Sequence, residues 1–262
     1  MLRSRISPCL LVHNKGLVKT VKFKDPKYVG DPINAVKIFN EKEVDELIIL
    51  DIDATVNNVE PDYQMIKNLA NESRMPLCYG GGIKTAQQAQ KIIKLGVEKV
   101  ALSSHALSNP SILKEMANII GKQSVVVVLD VKKTLLGGYD VYTHNGKKKL
   151  KKKLDLIIQE LEEVGVGELV INSIDNDGVM KGYDLKLAEK VRELAIVPLT
   201  ILGGAGKAED ILELVNKFKI IGASAGSLFV FKGVYKAVLI NYLTKETLYK
   251  IREIARLGLG NK

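Results

Sequence analysis

The chain repeats itself at a spacing close to half its length. Glu46-Leu-Ile-Ile-Leu-Asp-Ile-Asp53 overlays Glu168-Leu-Val-Ile-Asn-Ser-Ile-Asp175 with an offset of 122 residues. Tyr79-Gly-Gly-Gly-Ile-Lys84 overlays Leu202-Gly-Gly-Ala-Gly-Lys207 at 123, and Ile6–His13 overlays Val125–Lys132 at 119. A supersecondary unit repeated in tandem buries its apolar face against its copy, so the repeat dictates the architecture before any single element does. Short apolar segments rich in β-branched residues fall at Ile6–Val12, Glu46–Asp51, Leu77–Gly80, Lys99–Ser103, Ser124–Val131, Glu168–Asn172, Leu199–Leu202 and Ile220–Ala223. They are nearly continuous in apolar character, as strands covered on both faces must be. Helical periodicity fills the gaps at Thr85–Leu95, Leu154–Val164, Leu185–Leu194 and Ala208–Lys217. Eight βα units in 262 residues, four per half, predict an α/β fold: one (β/α)₈ barrel domain over residues 1–262, built from two half-barrels. A doubly wound sheet is the competing arrangement of the same elements.

Composition narrows the function. The longest purely apolar run, Val125–Leu129, is far short of the roughly 20 residues of a membrane-spanning helix. Met1-Leu2-Arg3-Ser4-Arg5 is basic but leads into no apolar stretch with a small-residue cleavage site, so a cytoplasmic protein is expected. Cys9 and Cys78 make no disulfide framework and have no metal-ligand spacing. The net charge of +9 raises the question of nucleic acid, yet only six of the 39 cations are Arg, Trp is absent and no aromatic residues interleave with the charge. Six of the seven residues in Lys147–Lys153 are lysine, which reads as a solvated face before a helix.

Two glycine-rich turns, Gly80-Gly81-Gly82 and Gly203-Gly204-Ala205-Gly206, close the third strand of each half, and hydroxyls end the strand that follows: Ser103-Ser104 in one half, Ser227 in the other. Glycine lets backbone N–H groups approach an anion without a Cβ between them. Two such sites across one barrel mouth predict a ligand with a phosphate at each end. Carboxylates crowd the C-terminal ends of strands, where barrel enzymes keep their chemistry. Asp130 follows five apolar residues and reads as a general acid or base; Asp51 ends the second strand, and Asp177 follows the sixth. Asp53 and Asp175 are repeat partners and read equally as carboxylates of the chemistry and as structural groups, helix caps or loop anchors.

At these residues the sequence resembles the cyclase subunit of imidazole glycerol phosphate synthase, the HisF family. The resemblance runs nearly end to end, through Arg5-Ile-Ser-Pro-Cys-Leu10, Gly30-Asp-Pro32, Asn172-Ser-Ile-Asp-Asn-Asp-Gly178, Gly182-Tyr-Asp184 and Ser227-Leu-Phe229. It implies a partner, a class I glutaminase subunit (HisH-like) at the N-terminal barrel face, whose ammonia passes through the barrel core. It implies a substrate at the other face, a bis-phosphorylated ribulosyl-formimino aminoimidazole carboxamide ribonucleotide, cleaved and cyclised by two aspartates. It implies phosphate and substrate contacts at Lys19, Asp51, Gly81, Gly82, Ser103, Ser104, Asn172, Asp177, Gly178, Gly203, Gly204, Gly226 and Ser227, with Ser103 in place of a family asparagine. It implies an entrance ring of alternating charge, Arg5, Glu46, Lys99 and Glu168. No cofactor, no metal, no nucleic acid and no membrane enter this scheme.

One half of the catalytic pair is missing. Asp130 holds the strand-5 position, but its repeat partner in strand 1 is Leu11, which can neither transfer a proton nor accept a hydrogen bond. The family's strand-7 serine is Leu202 and its strand-6 threonine is Asn172. An intact entrance with a missing acid resembles a divergent branch of the family from bacterial surface-glycan loci. There a separate ATP-dependent amidotransferase uses the ammonia to convert a sugar acetamido group to an acetamidino group. Two alternatives stand beside it: a working cyclase in which another group, such as His13, replaces Leu11; and a non-catalytic phosphate-binding activator of the glutaminase.

Overall fold

A computed structural model describes residues 4–257; Met1–Arg3 of the basic N-terminal segment, and the last five residues of the expected domain, lie outside them. Eight parallel strands close into a barrel: β1 (Ile6–His13), β2 (Leu47–Asp51), β3 (Leu77–Gly80), β4 (Lys99–Leu102), β5 (Val125–Lys133), β6 (Glu168–Ser173), β7 (Leu199–Leu202) and β8 (Gly222–Ala225). β1 pairs with both β2 (Cys9 opposite Ile48) and β8 (Ile6 opposite Ala223), and β5 with β6 (Asp130 opposite Asn172), so the eight parallel strands form a closed ring. The doubly wound alternative is thereby excluded.

Helices cover the outside, α1 (Pro32–Glu41), α2 (Tyr63–Glu72), α3 (Ala86–Lys94), α4 (Ser111–Ile120), α5 (Leu154–Glu163), α6 (Leu185–Leu194), α7 (Ala208–Phe218) and α8 (Lys245–Leu257), with short helical turns at Ser104–Ser108 and Ser227–Val230. The α3 span shows why the boundaries fall where they do. Thr85 accepts from the Gln88 backbone N–H while the Gln88 side chain bonds back, a reciprocal cap, and Ala86, Ala89 and Ile92 at helical spacing are buried against the sheet. Asp62 and Asp184, 122 residues apart, cap α2 and α6 alike, each carboxylate accepting the backbone N–H three residues on, Met65 or Leu187. The duplication therefore extends to the hydrogen bonds.

Apolar side chains form two layers. Leu10, Phe39, Ile49, Leu69, Val127 and Leu169 pack between sheet and helices. Inside the barrel a separate stack of Cys9, Ile48, Cys78, Ala101, Val126, Val128, Val170 and Leu202, with half-buried Leu11 and Leu50, lines the axis. This alternation gives the strands their continuous apolar character.

Two sequence readings shift. The eighth strand begins at Gly222, not Ile220, because Ser4 Oγ donates to the Lys219 carbonyl at 2.6 Å and takes the Ile221 N–H at 3.4 Å, holding that stretch out of the ladder. The lysine run does not simply precede a helix: Lys148–Lys149 pair with Tyr142–Thr143 as a short strand, while all six lysines stay exposed. That strand belongs to an antiparallel extension of β5 (Tyr139–Thr143 and Lys148–Lys149), mirrored after β1 by Gly16–Val21 and Lys24–Gly30. Both extensions stand over the C-terminal mouth.

Candidate functional site

The C-terminal ends of the strands enclose a cleft of about 1170 Å³, measured out to open solvent. It gathers Asp130 and every predicted phosphate or substrate residue except Gly82. Gly82 turns away: its N–H faces Thr55 Oγ1 at 3.4 Å, and a Cβ there would meet the Val59 carbonyl at 2.8 Å, so it packs on the loop after β2 while Gly81 faces the cleft.

Asp130 stands at the end of β5, and Asn172, its register partner on β6, donates from Nδ2 to Oδ1 at 3.0 Å. Burial pushes the Asp130 carboxyl up to about 7, the Asn172 hydrogen bond opposes that rise, and the charge of Asp177 adds to it. Near neutral pH the group is thus poised between proton donor and acceptor. Asn172 Oδ1, pointing into the same space, is buried without a partner, as is Ser103 Oγ. Leu11, Leu50 and Leu202 make the facing wall apolar. β1 and β5 lie four strands apart around the eight-stranded ring, so Leu11 sits across the mouth from Asp130.

The floor of the cleft is polar. Lys19, on the arm after β1, is buried and donates to the Cys9 carbonyl at 2.5 Å; burial pulls its ammonium below the usual lysine range, against the fields of Cys9 and Asp177. Asp177 accepts from Thr20 Oγ1 at 2.7 Å and the Phe23 N–H at 3.2 Å, pinning that arm, and burial raises its own carboxyl. Asp51 accepts the N–H groups of Asp53 and Ala54 at 2.9 and 3.1 Å. Gly178 and Gly204 have φ of +67° and +115°, and a Cβ would lie 2.0 Å from the Thr20 carbonyl or 2.1 Å from that of Gly182. Gly178→Ala is accordingly expected to cost at least about 1–3 kcal/mol from the backbone conformation alone, read as a lower urea midpoint.

Some residues of the cleft were not legible beforehand. His144 and Asn145 come from the turn of the β5 extension, where Asn145 Nδ2 donates to the Ile52 carbonyl at 2.8 Å and the His144 N–H to Ser104 Oγ at 3.4 Å. The turn thus bridges loops 93 and 40 residues away, and its Gly146 lies beside the Phe23 ring. The Asn145-Gly146 dipeptide was the available signal for a tight turn, in which His144 and Asn145 both take left-handed φ.

At the other end of the barrel four charges form a closed ring. Arg5 meets Glu168 at 2.6 Å and Glu46 at 3.7 Å; Lys99 meets Glu46 at 2.7 Å and Glu168 at 2.9 Å. Thr200 and Ser7 hydroxyls complete the carboxylates. Burial alone would raise Glu168, but Arg5 and Lys99 hold it below the ordinary glutamate range. Between ring and cleft lie the apolar stack and two thiols, Cys9 raised to about 11 and Cys78 raised well above its usual value, both by burial.

The sequence profile described as histidine biosynthesis protein matches residues 5–236. A chain of Vibrio vulnificus, provisionally named imidazole glycerol phosphate synthase subunit hisF3, is 58% identical over 255 residues, covering 97% of this chain and 98% of its own. The imidazole glycerol phosphate synthase subunit HisF of Streptococcus sanguinis is 38% identical over 229 residues, 87% of this chain and 91% of its own. The chain belongs to the HisF family.

Against that membership, His13 is no ready substitute for Leu11. Its Nδ1 is 2.7 Å from Asp53 Oδ1, its Nε2 is 3.1 Å from the Asn14 amide, and it does not line the cleft. Asp53 and Asp175 resolve as loop anchors, holding the N–H of Asn14 at 2.7 Å and of Lys133 at 2.8 Å, the same role in each half-barrel. In this HisF-family chain Asp130 also sets a pH signature. A half-buried acid with a raised folded pKa binds its proton more tightly folded than unfolded, so stability falls as pH rises from about 4 to about 7. Asp130→Asn, whose amide can also serve the orphaned Asn172 Oδ1, is expected to be about 2 kcal/mol more stable than its parent at pH 8, an advantage that shrinks toward pH 4. Denaturant titrations at the two pH values check this.

Proposed function

We propose that this chain is the barrel subunit of a glutamine amidotransferase pair, taking ammonia from a class I glutaminase at the charged ring and conducting it to the C-terminal cleft without itself closing an imidazole ring. The observation that carries the reading is Leu11 across the mouth from Asp130, where ring closure needs a second acid or base. The axis suits neutral NH₃: it is lined by apolar groups and two thiols that burial keeps protonated, and an ammonium ion entering it would lose its hydration without a partner. The delivered ammonia then serves a separate ATP-dependent amidotransferase that turns a surface-glycan acetamido group into an acetamidino group. The relatives provisionally named as HisF-type subunits, such as the hisF2 chain of Pseudomonas aeruginosa at 52% identity, fit a branch set apart from the histidine enzyme. Arg5, Glu46, Lys99 and Glu168 serve as the entrance, and the two glycine turns with Lys19, Ser103, Ser104 and Ser227 hold the phosphates of the ligand.

One observation favours a second reading, a true cyclase: the Asp130 carboxyl is held near the pH at which acid–base catalysis works best. The experiment that separates them supplies ammonium salt and the bis-phosphate ribonucleotide to the isolated chain and follows imidazole glycerol phosphate. No turnover, with glutaminase-derived ammonia still reaching the sugar acceptor in the reconstituted system, is the expected result. Turnover near that of a histidine-pathway enzyme overturns it.

A further inference from the structure

The positive charge of the chain is concentrated on one face. Residues 14–30, 132–153 and 231–239, the segments that follow β1, β5 and β8, hold fifteen lysines against two aspartates, Asp25 and Asp140, so the remainder of a chain of net charge +9 is net acidic. All but Lys19 of those lysines are exposed. All three segments stand around the C-terminal mouth, away from the charged ring.

Two hairpin tips rise from this basic field, each ending in a pair of bare apolar side chains. The tip between β5 and Tyr139–Thr143 presents Leu135 and Leu136, 106% and 99% exposed; the tip between Phe231–Lys232 and Ala237–Val238 presents Val234 and Tyr235, 94% and 97% exposed. Scattered single apolar residues on a surface need no explanation, but adjacent pairs at the ends of two separate hairpins, each beside lysines such as Lys133 and Lys232, form the anchor-and-rim pattern of a protein interface. The dominance of lysine over arginine gives little bidentate recognition of phosphate, which disfavours nucleic acid. A bilayer resting on both tips would close the mouth to a water-borne acceptor, whereas a protein seated there would continue the passage.

We infer that the C-terminal face is a docking surface for the ammonia-consuming enzyme, whose own contact face is acidic with apolar recesses for the Leu135–Leu136 and Val234–Tyr235 tips. This rests on the function proposed above and adds a direct handover of ammonia to it. Charge complementarity of this kind speeds encounter and makes it salt-dependent, while the apolar anchors set the lifetime of the complex.

The test uses the full chain paired with its glutaminase, with the purified ATP-dependent amidotransferase of the proposed system as probe, in a surface-binding assay at low and high salt. Binding is expected, with association at least about tenfold slower at roughly 0.5 M than at roughly 0.05 M salt. Changing Leu135 and Leu136 together to aspartate, or Val234 and Tyr235 together, is expected to weaken it about tenfold or more, chiefly through faster dissociation. Changing Lys147, Lys148 and Lys149 to glutamate is expected to slow association and flatten its salt dependence. Glutaminase pairing, at the opposite face, serves as the folding control and should not move. Unchanged binding in the tip variants overturns the inference, as does binding of anionic phosphatidylglycerol vesicles or duplex DNA in place of the enzyme. Absence of docking with ammonia transfer intact overturns it while leaving the proposed function standing; loss of transfer from a wild-type pair overturns the function itself.

Discussion

Leu11→Asp is expected to confer or raise ring closure on the bis-phosphate ribonucleotide by about 10²–10⁴-fold over the parent chain, the usual scale for one positioned acid or base. Position 11 lies at the mouth between Val18 of the neighbouring arm and Leu50 of β2, and it faces the cleft that also holds Asp130. An aspartate placed against Leu50 and Leu202 would be held partly out of water, which raises its pKa toward the working range, so the pair could divide the acid and base roles. Because the glycine turns, Lys19 and the serines are untouched, the gain should fall on kcat with KM for the ribonucleotide little changed. Leu11→Asn, which fills the same volume without a titratable proton, is the control and should stay silent. Imidazole glycerol phosphate formation from ammonium salt is the readout. If Leu11→Asp binds the ribonucleotide yet remains inactive, the block lies instead at Leu202 or Asn172, and adding Leu202→Ser to the variant locates it.

Glu168→Ala is expected to cost about 3–5 kcal/mol of folding stability, the scale for removing one partner of a buried ion pair. Glu168 accepts from Arg5, Lys99 and Thr200 at once, at 2.6, 2.9 and 2.7 Å, and is 5% exposed. Its removal leaves Lys99, 7% exposed, with Glu46 alone, and leaves Arg5 with a partner 3.7 Å away. Glu168→Gln keeps an acceptor oxygen and should lose less. The sign with pH is fixed by the direction of the shift. Glu168 is held below its ordinary value of 4.5, so its contribution is fully present above that value and disappears as pH falls through the folded pKa. The difference between parent and Glu168→Ala in urea titrations should therefore be large near neutral pH and shrink in strong acid. A difference that stays constant into acid would mean that packing, and not charge, sets the cost. On the function proposed above, the same variant opens the entrance, and ammonia from free ammonium salt is expected to reach the cleft more readily even as the protein weakens.

The sequence was most informative where the physics is local or repeated. Leu77–Gly80, Leu199–Leu202 and Leu185–Leu194 appear at their predicted boundaries because burial on both faces of a strand, or one face of a helix, writes its period directly into residue order. The duplication aligned Leu11 with Asp130, and it foretold which carboxylates would act alike, pairing Glu46 with Glu168 in the ring and Asp53 with Asp175 at the loops. The eighth strand was misplaced because Ile220 and Ile221 look like strand residues by composition. Ser4, more than two hundred residues away, claims the Lys219 carbonyl and the Ile221 N–H, the polar groups on either side of Ile220.

By itself, the amino-acid order determined the half-barrel repeat, the glycine turns and carboxylates at the C-terminal end of the barrel, and the pairing of Leu11 with Asp130; the charged ring at the other end came from the family resemblance. Only the tertiary structure decided that His13 is engaged by Asp53 and Asn14, that Gly82 faces a loop and not the cleft, that His144 and Asn145 reach across the mouth, and that lysines from three distant segments share one face. The difference is physical: hydrophobic periodicity depends on a residue's neighbours along the chain, whereas the partner of a polar group or the sign of a surface depends on which strand ends barrel closure brings together.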